Sequence, residues 1–185
     1  MIISFTGAQS TGKSTLLNKC KEEFGDMFEY FPEITRSIRS KFGVEINEAG
    51  TDITQLLIIS GHIENMIKGL SSEKDCIFDR CVVDGLVYTE WLANNSTVSN
   101  AVYDSMAVVY EEYVDKIDVI FYTDPKDVKL VDDGERSINT KFRDDIIARF
   151  EDIIKFRKNV VVLSGTVEER METIRKTLKS KGINL

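Results

Sequence analysis

The sequence is poor in the residues that crosslink a chain through disulfides, interrupt its helices and strands, or ligate metals. Its 185 residues include only two prolines, three cysteines, one histidine and one tryptophan. The cysteines, Cys20, Cys76 and Cys81, are odd in number and lack metal-binding spacing, which excludes an even disulfide framework and a zinc site. They are expected to be reduced core thiols in a cytoplasmic protein.

Long apolar runs and an excess of positive charge are also missing. No run is long enough to span a bilayer, so no membrane association is expected, and a signal peptide is not expected either. The net charge of −7 argues against a nucleic-acid partner. A hydrophobic content of 42% and a charged content of 30% are ordinary, so residues 1–185 are expected to form a single domain. We expect a monomer or a homodimer.

What the sequence does contain is a phosphate-binding motif near its start. Residues 7–14, Gly-Ala-Gln-Ser-Thr-Gly-Lys-Ser, fit the P-loop pattern G-x-x-x-x-G-K-[ST] between a predicted strand at 1–6 and a predicted helix at 14–24. Inward-pointing amides are expected to bind phosphate, Lys13 to reach the β- and γ-phosphates of ATP, and Ser14 to ligate Mg²⁺. The predicted nucleotide-binding residues are Gly7, Gln9, Ser10, Thr11, Gly12, Lys13, Ser14 and Thr15.

Two charged residues follow the second predicted strand, residues 27–31, at the sheet edge where α/β proteins bind ligands. Glu33 is predicted to orient or deprotonate an acceptor hydroxyl. Arg36 is predicted to hold substrate phosphate or ribose, although a solvated helix face explains it equally well.

The segment after these residues is expected to cover the acceptor. Residues 41–52 are turn-rich and are predicted to form a loop over the acceptor pocket. The next helix is expected to begin with a capping box of Asp52 and Gln55. The single histidine, His62, is expected at an ordinary polar position of that helix.

The third predicted strand, residues 75–79, ends in an acid. Asp79 at this position matches the Walker B pattern, in which a carboxylate handles Mg²⁺ and its water. Arg80 follows it and is predicted to contact phosphate or substrate. Asp84, one turn further on, is explained either by a site role or as a helix cap.

A lid over ATP is predicted at residues 131–145. The segment is polar and contains a glycine and several basic residues, among them Lys141 and Arg143. Arg136 is predicted to stabilise charge on the transferred phosphoryl group, and a solvated loop is the alternative. Gly165 and Thr166 are weaker candidates for the adenine side of the site.

The predicted fold follows from the order of these elements. Two more apolar strands are expected at 117–122 and 159–163, with helical patterns between successive strands. This alternation predicts a three-layer α/β fold with a five-stranded parallel sheet and helices on both faces.

In this order the motifs resemble a family of small P-loop kinases, which includes the ribosylnicotinamide kinase domain of the bifunctional bacterial NAD-biosynthesis regulator and related AAA-like domains. The resemblance rests on residues 7–15, 32–36, 78–80 and 131–137. It implies transfer of the ATP γ-phosphate to a nucleoside 5′-hydroxyl, with Glu33 at the acceptor, Asp79 at Mg²⁺ and Arg136 in the lid. Ribosylnicotinamide kinases tend to have Asp-Thr where this chain has Asp79-Arg80, a pair that resembles deoxynucleoside and nucleoside monophosphate kinases. An attached adenylyltransferase domain, as in the bifunctional member of that family, is not expected.

Three functional hypotheses remain at the level of sequence. The first is an ATP-dependent kinase acting on a small nucleoside or nucleotide acceptor, such as nicotinamide riboside or a deoxynucleoside. The second is a nucleotide-dependent ATPase or regulatory switch, and the third is a polynucleotide 5′-kinase. A GTPase is disfavoured because Val82 replaces the glycine of D-x-x-G and no Asn-Lys-x-Asp motif is present.

Overall fold

The computed structural model describes residues 1–126, 128 and 139–185. Five parallel strands form one sheet in the order β2-β3-β1-β4-β5. The strands are β1 (Ile2–Thr6), β2 (Phe28–Phe31), β3 (Asp75–Asp79), β4 (Val119–Thr123) and β5 (Val160–Leu163). The five-stranded parallel sheet predicted from the sequence is confirmed.

Helices cover both faces of this sheet in the described part of the chain. They are α1 (Lys13–Phe24), α2 (Ile34–Phe42), α3 (Asp52–Ser71), α4 (Val82–Asn94), α5 (Asn100–Tyr113), α6 (Thr140–Ile154) and α7 (Val167–Ser180). None of the described helices is both long and apolar enough to cross a membrane.

The central strand β1 explains why the sheet forms here. All five of its residues are buried, and it pairs with β3 on one side and β4 on the other. A continuous apolar run is what a parallel strand covered on both faces requires. The fold therefore places the loop after β1 at the middle of the carboxyl edge of the sheet, where α/β folds bind ligands.

Two hydrophobic cores separate the layers. One lies on the side of α3–α6 and includes Phe78, Met106 and Phe150. The other lies on the side of α1 and α7, where Phe5 and Phe121 stack with ring centroids 5.4 Å apart. Burial on both faces gives the three-layer arrangement that was predicted.

Two local expectations were wrong. The predicted capping box of Asp52 and Gln55 does not form: Thr51 is the N-cap of α3, and its hydroxyl accepts from the amide of Thr54 at 3.4 Å. Asp52 instead accepts from the amide of Ser99 at 2.7 Å, because the start of α5 packs nearby. The fourth strand also runs to Thr123, one residue further than predicted.

Candidate functional site

The loop between β1 and α1 is curled tightly around the ammonium group of Lys13. Lys13 Nζ donates to the carbonyl oxygens of Gly7 and Ala8 at 2.7 and 2.6 Å. Gly7 and Gly12 have φ values of 134° and 89°, which side chains rarely tolerate, and Gly12 is the N-cap of α1. Burial, reinforced by the nearby charge of Arg80, lowers the pKa of Lys13 to about 7.

The end of β4 holds this loop from one side. Thr123 Oγ1 lies 2.6 Å from Thr11 Oγ1, and Thr11 Oγ1 also contacts the carbonyl of Ala8 at 2.9 Å. A Cβ at Gly7 would lie only 2.7 Å from Thr123 Oγ1. The first glycine of the motif is therefore required by its backbone angle and also by the space that β4 leaves.

A buried arginine from α7 holds the loop from the other side. Arg170 is 3% exposed, and its guanidinium donates to the carbonyls of Thr11 (3.0 Å), Asp124 (3.1 Å) and Gly165 (2.9 Å). One planar group thus ties together the phosphate loop, the end of β4 and the turn after β5. Sequence reasoning missed Arg170, because nothing near it in the chain distinguishes it from the other arginines of an amphipathic helix.

An ion-pair network lies on the other side of the loop, between β2 and β3. Arg80 Nε donates to Glu33 Oε1 at 2.7 Å, and Arg80 Nη1 donates to Asp84 Oδ1 at 2.8 Å. Arg36 Nε pairs with the second oxygen of Glu33 at 3.0 Å. The carboxylate of Glu33 therefore lies between two guanidinium groups, which brings together three of the residues singled out in the sequence.

The backbone of Arg80 is unusual. Its φ of 74° places a bulky residue in the left-handed region, an uncommon conformation that costs roughly 1–3 kcal/mol. Its side chain is nearly buried and lies over the ring of Tyr88, with Cζ 5.5 Å from the ring centroid. The network compensates for this strain, because Glu33, Asp84 and the carbonyl of Gly7 (3.3 Å) all accept from the same guanidinium.

The charges of this network keep Glu33 ionised. Although burial raises the pKa of Glu33, the nearby Arg80, Lys13 and Arg36 together hold it below its ordinary value. Asp84 is fully engaged as well: its second oxygen accepts from Thr6 Oγ1 at 2.6 Å and from the amide of Cys81 at 3.1 Å. Asp84 is thus the helix cap of α4 and also a partner of Arg80.

Asp79 behaves differently from these two carboxylates. It ends β3 as predicted and is 7% exposed, and its Oδ1 has no hydrogen-bond partner among the described residues. Burial, followed by the negative charge of Glu33, raises its pKa. A buried carboxylate oxygen without a donor is a suitable ligand for a hard cation such as Mg²⁺.

The few possible metal ligands fit a Mg²⁺ ion that is bound together with substrate phosphates better than a metal ion bound by protein side chains alone. No group of three or more His, Cys, Asp or Glu side chains suited to a metal occurs within residues 1–126, 128 and 139–185. Mg²⁺ usually takes one or two protein ligands and completes its shell with water and substrate phosphates. Asp79 at the end of β3 and half-buried Ser14 at the start of α1 could supply those ligands.

A pocket opens beside the network, between α2, α3 and α4. Its walls include Gln9 from the phosphate loop, Glu33, Arg36 and Arg80, and also Ile46 and Asn47 from the segment predicted to cover the acceptor. The residues that it adds to the predicted site are Gln55, Ile58, His62, Gly85 and Tyr88.

Two buried residues of the pocket wall are polar but uncharged. Gln55 is buried, and its Oε1 accepts from Thr89 Oγ1 at 2.9 Å. His62 is buried too, and burial lowers its pKa to about 4, so the ring is neutral at pH 7. His62 lies on the predicted helix, and the structure places it in the buried wall of the pocket. Its helical spacing with Gln55 and Ile58 on α3 was the available signal.

The remaining predicted residues have mixed outcomes. Arg136 lies outside the described residues, as does the whole of residues 131–137. Lys141 is exposed and pairs with Asp145 at 3.5 Å, whereas Arg143 donates to the carbonyl of Val128 at 3.0 Å. Thr166 is the N-cap of α7 in a capping box with Glu169, which is a structural role.

Comparison with known proteins agrees with this architecture. A family model described as an AAA domain matches residues 2–170, and no curated protein matches the chain significantly. A structure of deoxyadenosine kinase from M. mycoides, with products dCMP and a flexible dCDP bound, aligns with a TM-score of 0.71 and 16% identity over 97% of this chain and 100% of that one.

NadR is the second kind of solved structure that matches. Its complex with NR gives a TM-score of 0.73 and 16% identity, covering 100% of this chain and 52% of that one. Its complex with NAD and AMP-PNP gives 0.72 and 13%, covering 100% and 50%. The chain therefore spans about half of the NadR chains. At these identities the likeness establishes a shared fold, and the predicted resemblance to small P-loop kinases is confirmed.

Proposed function

This chain belongs to the AAA domain family of P-loop proteins, and we propose that it is an ATP-dependent kinase that transfers the γ-phosphate of ATP to a hydroxyl of a nucleoside or nucleotide. One observation carries the proposal. A walled pocket opens beside the phosphate loop, is lined in part by Gln9 of that loop, and is also lined by Glu33 and Arg80. An ATPase switch needs no such second pocket, whereas a kinase must hold an acceptor next to the γ-phosphate.

The phosphate loop supplies the binding of the triphosphate. Its curled backbone and the N-terminus of α1 present amides to phosphate oxygens, as expected for residues Gly7, Gln9, Ser10, Thr11, Gly12, Lys13, Ser14 and Thr15. Lys13 leaves its two carbonyl partners for phosphate oxygens and thereby gains charge partners for its ammonium. Asp79 and Ser14 would hold Mg²⁺, which when bound would neutralise negative charge on the triphosphate.

Glu33 orients the acceptor. Two arginines keep its carboxylate ionised, so it acts mainly by accepting a hydrogen bond from the attacking hydroxyl. Arg80 fixes Glu33 and forms part of the pocket wall, while Arg36 faces the substrate from α2. Arg136, in the proposed lid of residues 131–145, stabilises charge on the phosphoryl group in transfer.

Several broader features belong to the same proposal. Residues 1–185 act as one kinase domain, as a monomer or a homodimer, without a nucleic-acid or membrane partner. The three cysteines are buried and free, which supports a reducing, cytoplasmic environment. A walled pocket whose buried polar residues Gln55 and His62 are uncharged supports a single nucleoside as acceptor and disfavours a polynucleotide end.

An acceptor screen tests this function. Labelled ATP and Mg²⁺ are incubated with deoxynucleosides, ribonucleosides, nicotinamide riboside, nucleoside monophosphates and an oligonucleotide with a 5′-hydroxyl, with Lys13→Met as the inactive control. We expect ATP turnover to require one of the small acceptors. Equal turnover without any acceptor would establish an ATPase switch, and phosphorylation of the oligonucleotide alone would establish a polynucleotide 5′-kinase.

A further inference from the structure

We propose that the side chain of Gln9, although it belongs to the phosphate loop, binds the acceptor by donating a hydrogen bond to the oxygen that receives the phosphoryl group. This inference rests on the proposed kinase function. Gln9 is 3% exposed and lines the acceptor pocket. Its Nε2 is buried and has no hydrogen-bond partner among the described residues.

The orientation of the carboxamide follows from its neighbours. The hydroxyl of Tyr88 lies 3.0 Å from Gln9 Oε1 and donates to it. Arg80 lies over the ring of Tyr88, with Cζ 5.5 Å from the ring centroid, and helps to hold that ring in place. A carboxamide oxygen can only accept, so the hydroxyl proton of Tyr88 goes to Gln9. The oxygen of the carboxamide faces Tyr88, and the NH₂ group is left facing away from it.

Arg80 and Gln9 are therefore linked through Tyr88, by a cation–π contact on one side and a hydrogen bond on the other. Arg80 also donates to Glu33 at 2.7 Å, so one guanidinium contacts both Glu33 and the ring that orients Gln9. Glu33 can only accept a hydrogen bond when ionised, and Gln9 Nε2 can only donate one. A donor paired with an acceptor matches a hydroxyl group, which needs both.

A buried amide donor without a partner is destabilising, and a bound hydroxyl oxygen would remove that cost. The gain depends on the hydroxyl, so an acceptor that lacks it should not benefit. Because Gln9 is part of the phosphate loop, the contact also links the acceptor pocket to the triphosphate site.

The test compares a nucleoside substrate with its 5′-deoxy analogue, whose binding is measured by calorimetry without any transfer. The Gln9→Met variant keeps the length of the side chain and removes its donor. We expect wild type to bind the 5′-deoxy analogue roughly 30-fold more weakly than the nucleoside, and Gln9→Met to bind it only about 5-fold more weakly, because the hydrogen bond of the hydroxyl to Glu33 remains. Any fall in the ATP affinity of Gln9→Met should be smaller than its fall in nucleoside affinity, because Gln9 contributes its backbone amide to the triphosphate site.

Tyr88→Phe keeps the ring and removes the hydroxyl that orients the carboxamide. It should reduce discrimination between the two ligands by a smaller factor, about 3-fold, and Tyr103→Phe on α5 serves as the matched hydroxyl-removal control with no effect. If Gln9→Met and Tyr88→Phe discriminate as well as wild type, the inference is wrong. Loss of ATP affinity equal to the loss of nucleoside affinity also overturns it, since Gln9 would then serve the phosphate loop alone. Wild type that binds no nucleoside overturns both this inference and the proposed function.

Discussion

Replacing Arg170 by leucine is expected to destabilise the fold and the phosphate loop together. The guanidinium donates to three carbonyl oxygens that belong to the phosphate loop, the end of β4 and the turn before α7. Leucine fills part of the space but offers no donor. Three carbonyls then lose their partner in a region where Arg170 itself is only 3% exposed.

The size of the effect can be worked from these contacts. A hydrogen bond to a charged group contributes about 1.5–3 kcal/mol, but some of the released carbonyls recover water. We expect the free energy of unfolding to fall by about 3–5 kcal/mol, which is at the upper end for single substitutions. Arg170→Lys should fall between wild type and Arg170→Leu, because an ammonium cannot reproduce the planar geometry that reaches three acceptors.

Urea denaturation and binding of a fluorescent ATP analogue measure the two consequences. Arg175→Leu is the matched control, since Arg175 lies on the same helix and pairs with Glu23 and Glu168 at the surface. Surface pairs contribute little, so this variant should lose less than about 1 kcal/mol and keep its ATP affinity. If Arg170→Leu loses no more stability than Arg175→Leu, the argument that Arg170 anchors the loop is refuted.

Two further predictions concern the reacting groups. Because burial lowers the pKa of Lys13 to about 7, the side chain is mostly neutral in the free protein at pH 8.5. The negative charge of bound triphosphate should draw a proton onto it, and calorimetry in buffers of different ionisation enthalpy should detect this proton uptake in wild type but not in Lys13→Met. Absence of proton uptake in wild type would contradict the argument. Glu33→Gln should lower kcat by roughly 10²-fold or more while the Kd for ATP changes less than about 3-fold, and an unchanged kcat would remove Glu33 from the mechanism.

The sequence predicted the sheet, the phosphate loop and the strand-end acids because each has a local signal. Gly7 to Ser14 form a motif with fixed spacing, and Asp79 directly follows a buried apolar strand. Parallel strands of this kind need continuous apolar runs, so the existence of the strands and their succession along the chain could be predicted. Their order within the sheet, β2-β3-β1-β4-β5, was not predicted. Only the ends of the strands differ from the prediction, by one or two residues.

The partners of those residues could not be predicted in the same way. Arg170 contacts Thr11 across 159 positions of the chain, and Tyr88 reaches Gln9 across 79. Such contacts depend on how the helices pack on the sheet, and this packing produces no recognisable pattern in the sequence. Arg80 is the intermediate case: its position was noticed, but its left-handed backbone and its two carboxylate partners required the fold.

The strand order has a consequence for how the protein is made. The neighbours of β1 are β3 and β4, so β1 leaves the ribosome before either of its partners and does not pair with β2. About 70 residues are synthesised before β3 follows, and the apolar side chains of β1 are exposed meanwhile, a situation that favours slow folding and aggregation. Nascent chains stalled before residue 75 should therefore be cleaved by protease within β1, whereas chains released after α7 should resist this cleavage. If β1 is already protected from protease in the stalled chains, another segment must cover it before β3 is made.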